Sequence, residues 1–431
     1  MSLSKRFKEV HRFGAEAVLP CDPNTMQNPV SLDPGFHRPI EFLVAWHDMR
    51  LRFTIPFAAD AEEDGFRESL PACAAVFILF PAPREGVPVA PYIGRTSDLR
   101  RRLTRLLSVR RQTSRMLNLR ELTARIEYQP VGSTFEGTWL LYLLNRHYFS
   151  RQYRDRLRLK PPALLKLKMQ NRFPRCYPTR RMMKDGSLYY GPFPSMAVAE
   201  RFAGEFLDFF KIRRCVEELN PDPSHPGCIY SQLHMCLAPC FAGCTDADYQ
   251  GEVQRVVEFL DTQGKSLLRD LESARGQASE SMEFEQASKI HQRIEKLNDL
   301  LRQRSDLVRN LRDLHAVMLL PGTEATSVIF FRVIGGEIHG PTTLSLDENV
   351  PDPTPLDRQL HDLMESLGGD THQAAPAKVP PWEHLSLLAR WYYSSFREGE
   401  LVLLNPDQAI PHSRLIRICR KLLAHNNDTA S

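Results

Sequence analysis

The sequence predicts an α+β protein of several domains, and three segments carry that prediction. Residues 74–80, Ala-Ala-Val-Phe-Ile-Leu-Phe, are an apolar run typical of a buried strand, and a second short strand at Tyr92 leads into a capped helix that begins near Leu99. Residues 251–311 have the periodicity of a helical hairpin, and strand-like alternation returns at 327–333. With 431 residues, of which 42% are hydrophobic and 25% charged, the chain is long enough for several apolar cores.

These elements, taken in chain order, divide the sequence into five segments. Residues 1–64 open with a Pro- and Asp-rich stretch and have no assigned role. A helix from about Thr138 to Arg158 closes the first domain, and Pro161 with Pro162 marks its end. The segments are 1–64; 65–160, a small mixed sheet with helices; 161–250, rich in aromatic residues and cysteines; 251–311, the hairpin, interrupted near Gly276; and 312–431, a partial α/β region.

Basic residues are concentrated in two windows of the first 185 residues. Residues 95–125 contain ten arginines against Asp98 and Glu121, and residues 146–184 contain thirteen basic residues against Asp155. The net charge of the whole chain is only +4, so the rest of the sequence is acidic. Arginines that merely coat helix faces would be interspersed with acids. The asymmetry predicts binding to a polyanion, and nucleic acid is the partner that it favours.

Five of the nine cysteines lie between positions 215 and 244. The N-terminus lacks an apolar signal core and no apolar run approaches the length of a membrane span, so we expect a cytoplasmic protein with no membrane contact. In that compartment, clustered cysteines hold a metal more often than they form disulfides. Thiolates suit both Zn²⁺ and iron–sulfur clusters, and spacing alone does not separate the two.

One face of the second hairpin helix is apolar at i, i+3, i+4 spacing. The blander interpretation is that this face packs on the other half of the hairpin. The alternative is that it meets a partner protein. The residues of the face are Phe284, Ala287, Ile290, Ile294 and Leu297.

Together these segments resemble the UvrC family of excinucleases, which act in bacterial nucleotide excision repair, over roughly residues 70–400. The first domain resembles a GIY-YIG nuclease. Ala75-Val-Phe77 stands where that family has a Gly-Val-Tyr strand, and Tyr92-Ile-Gly-Arg95 stands at its Tyr-Val-Gly-Lys turn. Asp98-Leu-Arg-Arg-Arg102 then corresponds to its Asp-Leu-x-x-Arg motif.

The resemblance implies a catalytic site made of two tyrosines, a basic residue, an arginine on the phosphate and a glutamate that holds a divalent cation. Tyr92 and Arg102 are retained. Phe77 lacks the first hydroxyl, and Arg95 replaces the usual lysine. Arginine binds phosphate in a bidentate manner but stays protonated, so it does not take over the proton chemistry of a lysine.

The metal-binding glutamate of the family falls on Leu141 or Tyr142, neither of which has a carboxylate. Glu136 is a candidate displaced ligand, and we expect bound Mg²⁺ or Mn²⁺ only if Glu136 acts as the metal ligand. We therefore predict a domain that grips the phosphates of double-stranded DNA without efficient cleavage. The predicted DNA-binding residues are Arg95, Arg100, Arg101, Arg105, Arg110 and Arg111.

Further features follow from the resemblance. The spacing of Cys215, Cys228, Cys236 and Cys240 is close to that of a family cluster that implies a [4Fe-4S] centre, with zinc as the alternative and Cys244 as a bystander or substitute. The face from Phe284 to Leu297 resembles the UVR motif, which implies docking on the excinuclease B subunit (UvrB). The family's second, RNase-H-like nuclease is not expected to be complete here.

Three functions are compatible with the sequence. The first is a repair protein that binds DNA and UvrB and cuts weakly or not at all. The second is a metal-dependent endonuclease that nicks one strand beside a lesion with Glu136 as the displaced ligand. The third is a regulatory DNA-binding protein outside repair. The residue at the metal position separates the first two functions, and the apolar face of the hairpin separates the first from the third.

Overall fold

The computed structural model describes residues 50–60, 62–83, 90–108, 119–345, 358–363, 381–405 and 411–430, with side chains up to residue 424 in the last helix. The α+β class is confirmed, because these residues form three four-stranded sheets with helices packed against them. Most of the predicted N-terminal segment lies outside the described residues. So do Arg110 and Arg111.

The first sheet has the strand order β1-β4-β2-β3, and each pair is antiparallel rather than mixed. The apolar run at 74–80 forms its central strand, β2, which is buried on both faces. Alternate residues of β2 pack on opposite helices, as the period of two requires. The elements are β1 (Phe53–Pro56), α1 (Glu63–Glu68), β2 (Ala75–Pro81), β3 (Tyr92–Thr96), α2 (Leu99–Leu107), α3 (Leu119–Leu122) and β4 (Thr123–Pro130).

The helix expected from about Thr138 to Arg158 is two helices, α4 (Thr134–Tyr148) and α5 (Tyr153–Arg156). The first begins a turn earlier than predicted because the Ser133 side chain accepts a hydrogen bond from the backbone N–H of Glu136 at 3.1 Å. One face of α4 packs on the first sheet through Leu144. The opposite face, with Trp139, packs on the third sheet.

The second sheet has the order β6-β5-β7-β8 and is also antiparallel. Its last strand follows the helical hairpin in sequence, so this sheet joins two of the predicted segments. One core contains aromatic residues of this part together with apolar residues of the hairpin. The elements are β5 (Ala163–Leu167), β6 (Cys176–Thr179), β7 (Leu188–Phe193), α6 (Met196–Leu207), α7 (Ile229–Gln232) and β8 (Arg309–Asn310).

The region predicted as a hairpin contains three helices, α8 (Asp246–Asp261), α9 (Lys265–Glu280) and α10 (Phe284–Gln303). The interruption predicted near Gly276 falls a few residues later, at 281–283 between α9 and α10, and Gly276 itself lies inside α9. A second interruption, which was not predicted, lies at Gly264 between α8 and α9, where φ is +90° and a Cβ would crowd Leu301 Cδ2. A side chain at Gly264 would therefore be strained, whereas nothing lies close to the Cβ position of Gly276.

The third sheet has the order β11-β10-β9-β12. Alternate residues of its strands face α4 on one side and the last helix on the other. The elements are β9 (His315–Pro321), β10 (Ser327–Ile334), β11 (Glu337–Ser345), α11 (Trp382–Tyr392), β12 (Glu400–Leu404) and α12 (His412–Ala430), with a short helical stretch at 358–363. In the part of the chain that is described, no helix is both long and apolar enough to cross a bilayer.

Candidate nucleic-acid interface and thiol cluster

The predicted motif residues of the first domain lie on β2, β3 and α2. Phe77 is fully buried and its ring covers Gly94 on the neighbouring strand, where a Cβ would meet the ring at 2.6 Å. The Arg102 guanidinium donates to the Tyr92 hydroxyl at 3.3 Å. The structure therefore brings Tyr92 and Arg102 together, whereas the position of the missing hydroxyl is part of the core.

Helix α2 separates its apolar and basic side chains by face. Its leucines are buried against the first sheet, and the Asp98 side chain caps the helix by accepting from Arg101 N at 2.9 Å. The side chains of Arg101 and Arg105, one turn apart, are exposed. Arg100 is different, because its Nε donates to the Leu70 carbonyl at 2.6 Å. Arg101 and Arg105 thus present positive charge to solvent, and Arg100 holds the loop before β2.

Arg95 is engaged with the start of α4. Its Nη1 donates to the Thr134 carbonyl at 2.6 Å and to Thr138 Oγ1 at 2.8 Å. The side chain passes over Gly137, where a Cβ would lie 2.8 Å from Arg95 Cδ. The residue at the lysine position of the motif is therefore tied into the fold.

Glu136, the candidate displaced ligand, is an internal hydrogen-bond acceptor. It exposes 7% of its surface, and its Oε2 accepts from the backbone N–H of Gly132 at 2.7 Å. Burial raises the pKa of this carboxyl group to about 7, although its hydrogen bonds from Gly132 and Ser133 act in the opposite direction. The carboxyl group closes the loop before α4.

The two residues at the predicted metal position are packed among other side chains, and Arg146 donates to the Tyr142 hydroxyl at 3.4 Å. Leu141 packs against the core between α4 and the first sheet. Tyr142 is buried with its ring near Tyr153 and His384, at centroid distances of 6.0 Å and 5.6 Å. Within α4 the one acidic residue is Glu136. The described helix therefore presents no carboxylate at either candidate position.

A residue that the sequence did not single out, Glu398, lies beside Arg95. It is in the turn between α11 and β12, and its carboxylate accepts from both the backbone N–H and the hydroxyl of Thr134. The first turn of α4 thus receives an acidic side chain, which is favourable at a helix N-terminus. The sequence separation of 264 residues explains why no local pattern indicated this contact.

Four of the clustered cysteines lie near one another. Burial, together with the nearby thiol groups of Cys215, Cys228 and Cys240, raises the pKa of Cys236 to about 11. The fifth, Cys244, has Asp248, Asp246 and Cys240 among its neighbours. All five cysteines are free thiols. The structure therefore places the four predicted ligands in one neighbourhood, with Cys244 close to Cys240.

The backbone of this segment is bent in an unusual way. His234, Ala238 and Ala242 adopt left-handed conformations with φ of 55°, 56° and 56°. Such conformations cost non-glycine residues about 1 kcal/mol or more each and persist where the surroundings impose them. The Cys236 sulfur accepts from Ala238 N at 3.3 Å, and Arg213 Nη1 lies 3.7 Å from the Cys215 sulfur. Hydrogen bonds of this kind are typical around metal-bound thiolates.

The donors in this segment are sulfur atoms, which suit iron–sulfur clusters and zinc. A single zinc ion with four thiolates needs sulfur atoms about 3.8 Å apart, given a Zn–S bond of about 2.3 Å. Among the described residues, no group of three or more Cys, His, Asp or Glu side chains converges closely enough to hold one metal ion.

The five predicted partner-binding residues divide into two groups. Phe284 is 68% exposed at the first turn of α10, and the adjacent Met282 is 76% exposed. Ile290 is partly buried and Ala287 lies between it and the tip, whereas Ile294 and Leu297 belong to the core shared with the second sheet. The surface available to a partner is therefore the tip of the α9–α10 hairpin.

Comparison with known families defines the class of protein. Residues 163–259 match the middle domain of UvrC/Cho excinucleases, and residues 265–300 match the UvrB/UvrC motif. Strands β5 to β7, α6 and the cysteine segment fall within the first match, and α9 with most of α10 falls within the second. The predicted resemblance is confirmed: over these segments the chain is UvrC-like.

The similar curated proteins are UvrABC system protein C from several organisms. The protein of Christiangramia forsetii is 25% identical over 312 residues, which are 69% of this chain and 51% of that protein. The Methanothermobacter thermautotrophicus protein is 26% identical over 61% of this chain and 45% of its own length. The Syntrophus aciditrophicus protein is 30% identical over 40% of this chain and 28% of its own.

This chain thus spans about half the length of the first two of these relatives. No solved structure matches it.

Proposed function

We propose that the chain is a DNA-binding component of nucleotide excision repair that docks on the excinuclease B subunit and whose first domain holds DNA without cutting it. The names of the relatives and the match to the UvrB/UvrC motif support the repair role. The observation that carries the proposal is the contrast within the first domain. Arg101 and Arg105 are exposed on α2, whereas the predicted metal position falls on Leu141 or Tyr142, neither of which has a carboxylate.

The absence of cleavage follows from the chemistry of phosphodiester hydrolysis. A divalent cation neutralises the developing charge and activates water, and it needs a carboxylate ligand that neither Leu141 nor Tyr142 provides. Glu136 is buried and its carboxylate is committed to Gly132 N. Binding needs only positive charge, which exposed arginines supply whatever the metal site contains.

The test is a nicking assay on a damaged duplex with Mn²⁺, in the presence and absence of UvrB. We expect salt-sensitive binding without nicking by the wild type and by Glu136→Gln. The matched pair Arg101→Ala with Arg105→Ala should weaken binding and make the log–log salt dependence less steep by roughly 0.9 for each lost phosphate contact. Robust nicking that Glu136→Gln abolishes would overturn the proposal and identify Glu136 as the displaced ligand.

For the thiol segment, we propose that Cys215, Cys228, Cys236 and Cys240 hold a [4Fe-4S] cluster. The sulfur-only donors and the left-handed backbone support a thiolate-bound metal. The resemblance of the cysteine spacing to that of the family cluster favours an iron–sulfur centre over a single zinc ion. The bound cluster would stabilise residues 215–244, a segment that has little apolar core of its own.

We expect anaerobically purified protein to be brown, with broad visible absorption and about four irons per chain. Cys240→Ser should lose the colour and the iron, whereas Cys244→Ser should keep both. A colourless protein with one zinc per chain would contradict the iron assignment while keeping the site. Equal metal content in the wild type and in Cys240→Ser would contradict the site itself.

A further inference from the structure

A second group of exposed basic side chains lies beside the second sheet. The residues come from three segments: the chain after α5, the turn between β6 and β7, and the end of α11. Pairing of Leu164 with Thr179 brings the first two segments side by side. We call this group the β5–β6 basic surface, and its members are Arg158, Lys160, Arg180, Arg181, Lys184 and Arg390.

Two hydrogen bonds fix the geometry of this surface. Arg180 Nη1 donates to the Pro161 carbonyl at 2.7 Å, and Arg390 Nη2 donates to the Arg158 carbonyl at 3.1 Å. Each guanidinium uses one of its five N–H donors in this contact, so the others remain available to a ligand. The side chains are thereby ordered in advance, which lowers the entropic cost of binding an anion.

Two acidic residues close in sequence to these segments have other basic partners. Asp185 is paired with the buried Lys166, and Glu383 is paired with Arg154 while accepting from the Tyr153 hydroxyl. Asp155 is the single acidic residue between positions 146 and 184, where thirteen residues are basic. The six cations of the β5–β6 basic surface therefore give it a net positive charge.

Arg158 provides an independent observation. It has φ +49°, a left-handed conformation that glycine adopts without cost and that costs an arginine about 1 kcal/mol. Its side chain is exposed, so burial does not explain the choice of residue. An arginine at a position where glycine would be more stable indicates that the side chain has a role outside the fold.

We propose that the β5–β6 basic surface is a second contact for the phosphate backbone of duplex DNA, separate from α2. The inference rests on the proposed DNA binding but uses residues of the middle segment and of α11 instead of the first domain. Arginines held by backbone carbonyls, with free N–H donors, are suited to phosphate oxygens and carry no base specificity. The contact would fix the path of the duplex without contributing to sequence preference.

The test compares duplex binding by variants of the full chain over a range of salt concentrations. Arg181→Glu with Lys184→Glu reverses two charges on the surface, and Arg414→Glu with Arg417→Glu makes the same charge change on exposed residues of α12. We expect the first pair to lower affinity by about tenfold or more and to make the salt dependence less steep by roughly 1.8. The control pair should change the affinity by less than about threefold.

Arg158→Gly separates binding from folding. It should leave the melting temperature unchanged or raise it, because strain is relieved, while the salt dependence becomes less steep by roughly 0.9. Equal DNA binding by the wild type, by Arg158→Gly and by Arg181→Glu with Lys184→Glu would overturn this inference and leave the proposed function standing. If the wild type shows no salt-sensitive DNA binding, the proposed function fails together with it.

Discussion

Burial of Glu136 raises its pKa from an ordinary value of 4.5 to about 7. A carboxyl group with a raised pKa binds its proton more tightly in the folded protein than in the unfolded chain. Its contribution to stability is therefore fully present below pH 4.5 and is lost as the pH rises through about 7. At neutral pH and above, the fold carries the cost of a charged, poorly hydrated carboxylate at this position.

Replacement of Glu136 by glutamine should remove this pH dependence. Glutamine keeps an oxygen that can accept from Gly132 N, but it does not titrate. Between about pH 4 and pH 8, the free energy of unfolding of the wild type should fall by roughly 3 kcal/mol more than that of Glu136→Gln. Denaturant unfolding at several pH values measures both proteins. Parallel pH profiles would contradict the prediction, because all other titrating groups are common to the two proteins.

The arginines of the first basic window differ in whether their side chains are hydrogen-bonded within the fold. All were predicted to bind DNA because they lie in one basic window. Arg101 and Arg105 are exposed, whereas Arg95 and Arg100 each donate to backbone carbonyls at 2.6 Å. The number of charges in a sequence window does not show which of the charged side chains are hydrogen-bonded to the backbone.

At the scale of elements, α10 combines a core half and a surface half. Its C-terminal part buries Ile294 and Leu297 in the core that α10 shares with α9 and α6, and its first turn exposes Phe284. Hairpin packing therefore uses the later turns of the helix and leaves the first turn exposed for the proposed partner.

This division gives a matched pair of substitutions. Ile294→Ala should lower the free energy of unfolding by about 2 to 4 kcal/mol, because it leaves a cavity in the core. Phe284→Ala should change stability by less than about 0.5 kcal/mol and weaken binding to UvrB by about 2 kcal/mol or more, the typical loss at a buried aromatic anchor. Chemical denaturation and calorimetric titration measure the two effects. Unchanged affinity of Phe284→Ala would show that the tip of the hairpin does not bind this partner.

At the scale of the whole molecule, the sequence predicts the class of fold and the order of its elements. The apolar run in β2 and the Asp98 cap of α2 are local signals, and both elements form where they were expected. One break in the helical region was expected near Gly276 and lies at 281–283, whereas the break at Gly264 was not predicted. Local composition does not show which glycine adopts a positive φ, as Gly264 does and Gly276 inside α9 does not.

The contacts that join the segments were not predictable in the same way. Trp139 Nε1 donates to the Gly340 carbonyl, and Thr134 binds Glu398, across 201 and 264 residues of sequence. Neither contact is indicated by a sequence motif. The clustered cysteines, by contrast, were recognised from their short spacings in the sequence, and the metal site that they indicate stays a prediction.

Helix α4 has a consequence for how such a protein can change during evolution. Leu144 lies in the core of the first domain, while Phe135 and Trp139 pack on Phe331 of the third sheet at ring distances of 5.1 Å and 6.1 Å. A gene rearrangement that exchanged the first domain for another would remove α4 from the third sheet and expose its apolar face. The replacement domain would need a helix with a matching aromatic face. The first domain can therefore change residue by residue more readily than it can be exchanged as a unit.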